Sequence, residues 1–415
     1  MAAAAAPARG LAAIRHKSPH DVVLLSSLRT PVTRAYKGGF RSAYDHELLS
    51  HVLRATLAAN PNLPPEAIED VAVGVVLAEL GGSKAARMAQ LHAGFSERTA
   101  LHTVNRACSS GLAAVTGIAN MIATGQISCG VGAGMESMTR NYGSRAIPTD
   151  LWEGLKGSEV QDARDCIMPM GLTSENVAKR YGVSREDQDA FAAESHKRAS
   201  RAQKTGLFDG EIVPVKVLQS DLEAPDKPSV EVEVSQDDGI RHDISVEKMA
   251  KLKPAFAKDG TSTAGNSSQV SDGAAATLLI RRSTANELGL SGSIIGKWVA
   301  TQTVGCKPDE MGVGPAIAIP KLLDFTGTKT DDVKVWEINE AFASQALYCI
   351  RKLGLDNRME DVNPRGGGIA LGHPLGMTGT RQLATLMPQL QEGEVGVVSM
   401  CIGTGMGMAG MFVRE

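Results

Sequence analysis

Two stretches of this chain, residues 64–94 and 328–354, follow the same plan: an acidic lead-in, a short β-rich run and a small-residue helix ending in glycine. The first reads PPEAIEDVAVGVVLAELGGSKAARMAQLHAG and the second TKTDDVKVWEINEAFASQALYCIRKLG, with Asp70-Val71 and Asp332-Val333 offset by 262 positions. Asn105 of VNRACSSGLAAV answers Asn363 of VNPRGGGIALGHPLGMTG at an offset of 258, and Val131 of CGVGAGMESM answers Val397 of VGVVSMCIGTGMG at 266. Matches in one order at a nearly constant offset mark an internal duplication. Each copy alternates β-rich and helical patterns, which predicts two similar α/β halves, each a mixed sheet with flanking helices. At 415 residues the chain is long enough for more than one core.

Residues from about 139 to 270 have no counterpart and read as an insertion growing out of the first half. Within it, SREDQDAFAAESHKRASRAQ predicts a helix capped by Ser184, with Asp187 three residues later. VEVEV over 230–234 predicts a strand. The expected division is a targeting or disordered segment (1–20), a first half (21–138), an inserted loop domain (139–270), a return of the first half (271–290) and a second half (291–415). The alanine-rich amino terminus has no acidic residue before Asp21 but carries Arg9, Arg15 and Lys17, as a targeting segment does. Arg9 and His16 have the spacing of an amino-terminal peroxisomal address that resembles R-L-x5-H-L, with Gly10 and Lys17 at its apolar positions. A disordered tail is the alternative.

A formal net charge of -3 gives no electrostatic case for nucleic acid. No apolar run approaches the roughly 18 residues of a membrane span. Six cysteines are scattered without a CxxC pair, which argues against a disulfide framework or a zinc site and for a reducing compartment.

In NRACSSGLAAV, Leu112, Val115, Ile118 and Ile122 recur at helical spacing, so Cys108 lies at or just before a helix amino terminus. Free N–H groups and the helix dipole favour a thiolate there. Ser109, Ser110 and Gly111 leave room for another backbone or a ligand. Duplicated halves bring equivalent loops to a shared face, so the Cys108 loop is expected to meet the loop of His373. Cys401, at the end of the apolar run VGVVSM, sits on a third converging loop. Alone, each residue reads as ordinary packing. Together they offer a nucleophile that carries acyl groups well and a base whose ordinary pKa lies near neutrality.

These residues resemble the thiolase family. NRACSSGLAAV resembles its nucleophile motif, NEAFA (339–343) its second, GGGIALGHPLGMTG (366–379) its third and CIGTGMG (401–407) its fourth, while TAGNSSQVSDGAAA (263–276) resembles its coenzyme A loop. The resemblance runs from about Asp21 to the carboxyl terminus. It is nearest to the eukaryotic peroxisomal 3-ketoacyl-CoA branch through DCIMPMGLTSENVA, MGVGPAIAIPKLL and INEAFASQALYC. It implies an α/β fold of duplicated thiolase-like domains, layered αβαβα, with an inserted loop domain. It also implies thiolytic cleavage of 3-ketoacyl-CoA in fatty acid β-oxidation, with coenzyme A and acyl-CoA as substrates and no bound cofactor or metal.

The resemblance makes Cys108 the acylated nucleophile, His373 its base and Cys401 the second acid/base. Backbone N–H groups of Cys108 and Gly403 would form one oxyanion hole, and Asn339, holding a water beside His373, the other. Arg241 would lie near the adenine, Phe256 along the pantetheine arm, and Ser268 and Ala264 at the pantetheine amide. Met170, Ala341 and Phe342 would touch the reactive end of the substrate. Where many acetoacetyl-CoA thiolases have His-Met-Gly, this chain has Pro169-Met170-Gly171, which implies a less polar, roomier acyl pocket. Lys248 stands where relatives carry a serine beside the adenine. The resemblance further implies a homodimer, a peroxisomal import receptor as partner and a peroxisomal location, mitochondrial being the alternative.

Other readings remain to be separated. GGGIALGHPLGMTGTR suggests a phosphate loop, but it lacks the terminal Lys-Ser/Thr. A non-catalytic acyl-CoA or lipid carrier would be expected to lose Cys108, His373 or Cys401. A decarboxylating ketosynthase would pair its cysteine with two histidines. An acetoacetyl-CoA thiolase working in the biosynthetic direction would keep every motif.

Overall fold

The computed structural model describes residues 9–220 and 228–415. Among the described residues there are twelve strands: β1 (Val22–Arg29), β2 (Thr33–Arg34), β3 (Asp70–Gly74), β4 (Ala100–Val104), β5 (Cys129–Ser137), β6 (Val215–Gln219), β7 (Val230–Val234), β8 (Ser271–Arg281), β9 (Gly296–Gly305), β10 (Val333–Ile338), β11 (Val395–Ile402) and β12 (Met406–Arg414). Strand order along the main sheet is β10-β11-β12-β9-β1-β8-β5-β3-β4. Read outward from its middle, each side repeats the other. β5 runs parallel to β3 and antiparallel to β8, just as β11 runs parallel to β10 and antiparallel to β12. The two sides meet where β1 pairs with β9 over Val23↔Lys297 and Leu24↔Gly296. Even the edge strand has an echo: β4 pairs parallel with β3, and the single bridge Trp336↔Val362 takes its place beside β10.

The strand register differs from the sequence match in one respect. Val71 stands opposite Val131, and Trp336 opposite Val397, so the strand equivalence lies three residues beyond the Val71–Val333 match. An irregularity in β10 between Val333 and Val335 takes up part of that shift.

Alternation along the strands divides the apolar residues into layers. Val23, Leu25, Val71 and Val73 face Leu48, Leu49, Val52 and Leu53 of the Asp45–Ala58 helix, an outer layer. Leu24 and Ala72 face the opposite way, toward Leu112, Val115, Ile118 and Ile122 of the Ser110–Ala123 helix. The same central layer holds Leu383 and Leu386 of the Thr378–Leu386 helix, packed on Val398, Met400 and Phe412 of the second half. Val395, Val397 and Met411 point outward to Ile319, Ala346 and Ile350 in the Gly314–Thr326 and Ala343–Lys352 helices. Five layers, α-β-α-β-α, result. With helices on both faces, β5 and β11 are buried throughout, which is why their sequences are apolar and small rather than alternating.

The two central helices approach very closely at their amino-terminal ends. A side-chain carbon on Gly111 would lie 2.8 Å from the carbonyl oxygen of Gly376, and one on Gly376 would lie 2.5 Å from that of Met135 and 2.7 Å from that of Gly74. Neither position has space for any residue but glycine. The small residues after Cys108 are therefore the surface on which the other half's backbone rests.

The insertion contains the expected helix, Arg185–Lys204, with Ser184 Oγ accepting the N–H of Asp187. It also contains the expected VEVEV strand, β7, paired with β6. Its Met170–Tyr181 helix seats on the second half, where Asn176 Nδ2 donates to the carbonyl of Asp309 at 2.8 Å.

Residues 9–16 pack on the second half, and Ser18 and Pro19 accept from Arg282 and Ser283. Leu11–Arg15 is a helix with Ile14 buried. The Gly10 N–H donates to Thr326 O at 2.7 Å, Arg15 Nε to Gly393 O at 2.8 Å, and Lys297 Nζ to His16 O at 2.6 Å. The first eight residues of that expected segment lie outside the described residues. No helix among the described residues is long and apolar enough to cross a membrane.

Candidate active site

Cys108 is partly exposed and sits two residues before the Ser110–Ala123 helix. Its loop is braced locally: Ala107 has a φ of 43°, its N–H donates to Asn105 Oδ1 at 3.0 Å, and Ser110 Oγ donates to its carbonyl at 2.7 Å. A non-glycine residue in that region costs about 1 kcal/mol, offset here by side-chain-to-backbone bonds. Backbone N–H groups of Gly403 and of Cys108 itself face the sulfur and lower its pKa. Burial outweighs them, and with Glu136 nearby the thiol is pushed up to about 11. The expectation of a thiolate stabilised by the helix terminus is thus corrected. At rest Cys108 is a thiol, because desolvation of the charge exceeds what two N–H groups return.

His373 is buried on the loop that leads into the Thr378–Leu386 helix. Its Nδ1 lies 2.6 Å from Thr378 Oγ1, and that hydroxyl donates to Pro374 O at 2.8 Å. With the hydroxyl proton committed, the network assigns the imidazole proton to Nδ1. Nε2 is left with its lone pair, which accepts from Asn339 Nδ2 at 3.3 Å. Burial, then the charge of Arg381, holds His373 down to about 3. It is therefore a neutral imidazole with an unprotonated Nε2 that accepts from Asn339, rather than a group titrating near neutrality. Asn339 is fixed by its N–H to Ser399 O at 2.8 Å, and its buried Oδ1 has no partner among the described residues.

Cys401, the penultimate residue of β11, is fully buried and packed with Met311, Ala341, Phe342 and Met170. Burial first, then the proximity of Cys108, pushes its thiol well above the usual range. Gly403 lies under Met170, whose Sδ would be 3.7 Å from a side-chain carbon there. Phe256 stands half exposed with its ring edge-on to Phe342, centroids 6.0 Å apart. The 263–276 stretch is zipped onto NEAFA: Ser268 N–H donates to Ala341 O, and Ala343 N–H to Asn266 O, both at 2.9 Å. On it Ala264 is exposed and Ser268 half-buried.

Cys108, His373, Cys401, Asn339, Gly403, Met170, Ala341, Phe342, Phe256 and Ser268 thus belong to linked loops. Arg241 stands apart from that group. It lines a cleft of about 660 Å³ beside the outer face of the Arg185–Lys204 helix, with Lys197, Arg201 and Lys204. Lys248 is engaged by Asp243, its Nζ 2.6 Å from Oδ2. Pro169 is exposed, capping the Met170–Tyr181 helix, so Met170 rather than Pro169 forms the inner wall.

Sequence reasoning missed two residues. Thr378 orients His373. Glu136, fully buried in β5, accepts N–H groups from Val76, Leu77 and Gly376, and burial pushes its carboxyl up to about 8. An acid inside the apolar run CGVGAGMESM was the available signal. Among the described residues no cluster of His, Cys, Asp and Glu is arranged to hold a metal ion.

Comparison with known proteins agrees over nearly the whole chain. Residues 22–283 match the family model for the thiolase N-terminal domain, and residues 293–414 that for the thiolase C-terminal domain. A peroxisomal 3-ketoacyl-CoA thiolase of Yarrowia lipolytica is 49% identical over 99% of this chain and 97% of its own. The dimeric peroxisomal thiolase of Saccharomyces cerevisiae superposes with a TM-score of 0.88 at 44% identity, covering 97% of this chain and 100% of that one. A second structure of the Saccharomyces cerevisiae peroxisomal 3-ketoacyl-CoA thiolase is described as five-layered and built from two core domains of identical topology. It superposes at a TM-score of 0.78 and 42% identity, over 96% and 99% of the two chains. With both halves matched in order and the same five layers present, this chain belongs to the thiolase family.

Proposed function

We propose that this chain catalyses thiolytic cleavage of 3-ketoacyl-CoA by coenzyme A, giving acetyl-CoA and a shortened acyl-CoA in fatty acid β-oxidation. The observation that carries the reading is that the Cys108 and His373 loops meet, Gly111 against Gly376, with backbone N–H groups of Gly403 and Cys108 facing a protonated sulfur and His373 Nε2 unprotonated. His373 Nε2 takes the thiol proton as the sulfur attacks the keto carbon, so charge forms only as the new bond does. The bond between the α-carbon and the keto carbon then breaks. Cys401 protonates the departing acetyl-CoA enolate, and the acyl group stays on Cys108. In the second half, Cys401 takes the proton of incoming coenzyme A, whose sulfur attacks the acyl carbonyl and frees Cys108, which recovers its proton from His373. The N–H groups of Cys108 and Gly403 stabilise the oxyanion of the acyl-enzyme step. Asn339 and His373 stabilise the other, with a water on Asn339. Removing one such donor typically costs about 3 kcal/mol.

In this reading Phe256, Ala264 and Ser268 guide the pantetheine arm, Arg241 meets the adenine, and Met170, Ala341 and Phe342 line the acyl end. The chain divides at 21–138, 139–270, 271–290 and 291–415, a partition supported by the repeated strand order. It works as a homodimer in the peroxisome, as the relatives' descriptions suggest, with Arg9 and His16 in a segment read by an import receptor. An assay of acetyl-CoA release from 3-ketoacyl-CoA plus free coenzyme A, from four to sixteen carbons, tests the activity. A carrier would release none, and a biosynthetic enzyme would be best with acetoacetyl-CoA.

Cys401→Ala is expected to leave slow acylation of Cys108 but to stall thiolytic release, so that acyl-enzyme accumulates in rapid-quench samples even with coenzyme A present. Normal turnover in that variant would remove Cys401 from the scheme.

The acyl wall makes a separate prediction. Each methylene buried against it contributes up to about 0.8 kcal/mol, roughly fourfold in kcat/KM. Medium and long chains are therefore favoured by up to about two orders of magnitude, and a polar residue in place of Met170, which packs with Cys401, Ala341 and Phe342, narrows that preference toward four carbons where the exposed Pro169 would not. Specificity constants for both proteins across chain lengths check this, and a wild type best with acetoacetyl-CoA refutes it.

A further inference from the structure

Glu136 has no part in the chemistry above, yet it joins the two catalytic loops. Its Oε2 accepts the N–H of Val76 at 3.2 Å and of Gly376 at 3.0 Å, and its Oε1 accepts that of Leu77 at 3.2 Å. Val76 and Leu77 follow β3 of the first half, while Gly376 lies three residues beyond His373 in the second. The carbonyl of Val76 accepts from Asn105 Nδ2 at 3.2 Å, and Asn105 Oδ1 accepts the N–H of Ala107, the residue before Cys108. One chain of hydrogen bonds therefore runs from the His373 loop, through Glu136 and Asn105, to the Cys108 loop.

We propose that Glu136 is a positioning residue that fixes the His373 loop against the Cys108 loop through Gly376, Val76 and Asn105. The proposal rests on Cys108 as the acylated residue and His373 as its base. All three donors to Glu136 are backbone N–H groups that approach both of its oxygens, an arrangement that an amide with a single oxygen does not satisfy. Its charge acts in the opposite sense to its placement. A carboxylate near Cys108 disfavours the thiolate. Among the described residues, Cys401 from β11 and Tyr142 from the Met138–Arg145 helix also interact with Cys108. Asp45, at the start of the Asp45–Ala58 helix, faces Glu136, and His373 is neutral.

Glu136→Gln keeps the shape but turns an amide N–H toward at least one backbone N–H. Two rates at Cys108 are read by mass spectrometry between about pH 6 and pH 9: single-turnover acylation by 3-ketoacyl-CoA and alkylation by iodoacetamide. Acylation is expected to slow about tenfold or more. Alkylation near pH 9 is expected to rise about twofold or more, an advantage that fades toward pH 6, where the wild-type carboxyl, pushed to about 8, is protonated as well. A residue that merely supported the fold would loosen the site and raise alkylation by a similar factor at every pH rather than near pH 9 alone, and that result overturns the proposal, as does unchanged acylation. Asn105→Ala breaks the far end of the chain without altering charge: acylation falls by a similar factor and alkylation stays within about twofold. Wild-type acylation in Asn105→Ala also overturns the proposal. The wild-type adduct tests the underlying reading by itself. Its absence would refute the nucleophile, whereas loss of the variants' difference refutes only the positioning role.

Discussion

Cys108→Ala is expected to lower thiolysis by about four orders of magnitude or more while leaving the fold intact. The size follows from the reaction: without a sulfur at this position no acyl-enzyme forms, and the remaining donors and binding contacts have nothing to activate. The fold survives because residue 108 is partly exposed in a loop braced by Asn105 and Ser110, not by its own thiol. In the wild type, 3-ketoacyl-CoA without free coenzyme A should leave one acyl group on the peptide that contains Cys108. Intact mass and peptide mapping read this directly, and an adduct on Cys401 instead would reverse the assignment.

His373→Ala is expected to slow acylation by about 10² to 10⁴-fold near neutral pH. Its signature is the pH dependence. Wild-type His373, held down to about 3, stays an unprotonated base from mild acid to mild alkali, so acylation in that interval shows no loss from its protonation. Without it, reaction depends on spontaneous ionisation of a thiol pushed up to about 11. The variant's rate should then climb about tenfold for each pH step of one below that value and approach the wild type in alkali. Equal acylation rates at pH 7 in the two proteins would exclude His373 as the base.

Much of this was legible in the chain because duplication and local pattern act at short range. The Ser110–Ala123 helix, the Ser184 cap and the VEVEV strand follow from periodicity and capping within a few residues. The meeting of the Cys108 and His373 loops follows from two copies packing through equivalent helices. What was not legible depends on distant partners. Nothing local to Glu136 reveals that it accepts N–H groups from residues 76, 77 and 376. The docking of Gly10–His16 depends on Thr326, Lys297 and Gly393. The helix-terminus argument for a Cys108 thiolate was sound about the N–H groups but blind to how much water the folded loops exclude. The position matched to an adenine-side serine is occupied by a lysine already engaged by Asp243, a pairing within one short loop that composition does not single out.

The spacing of the catalytic loops is set by main chain pressed on main chain, Gly111 on Gly376 and Gly376 on Gly74, whereas Met170 and Phe256 come from the insertion, a different length of chain. Reaction and substrate range are therefore separately heritable. The side chains that the insertion contributes can be exchanged one by one, while the spacing of the two loops stays set by the contact between two backbones.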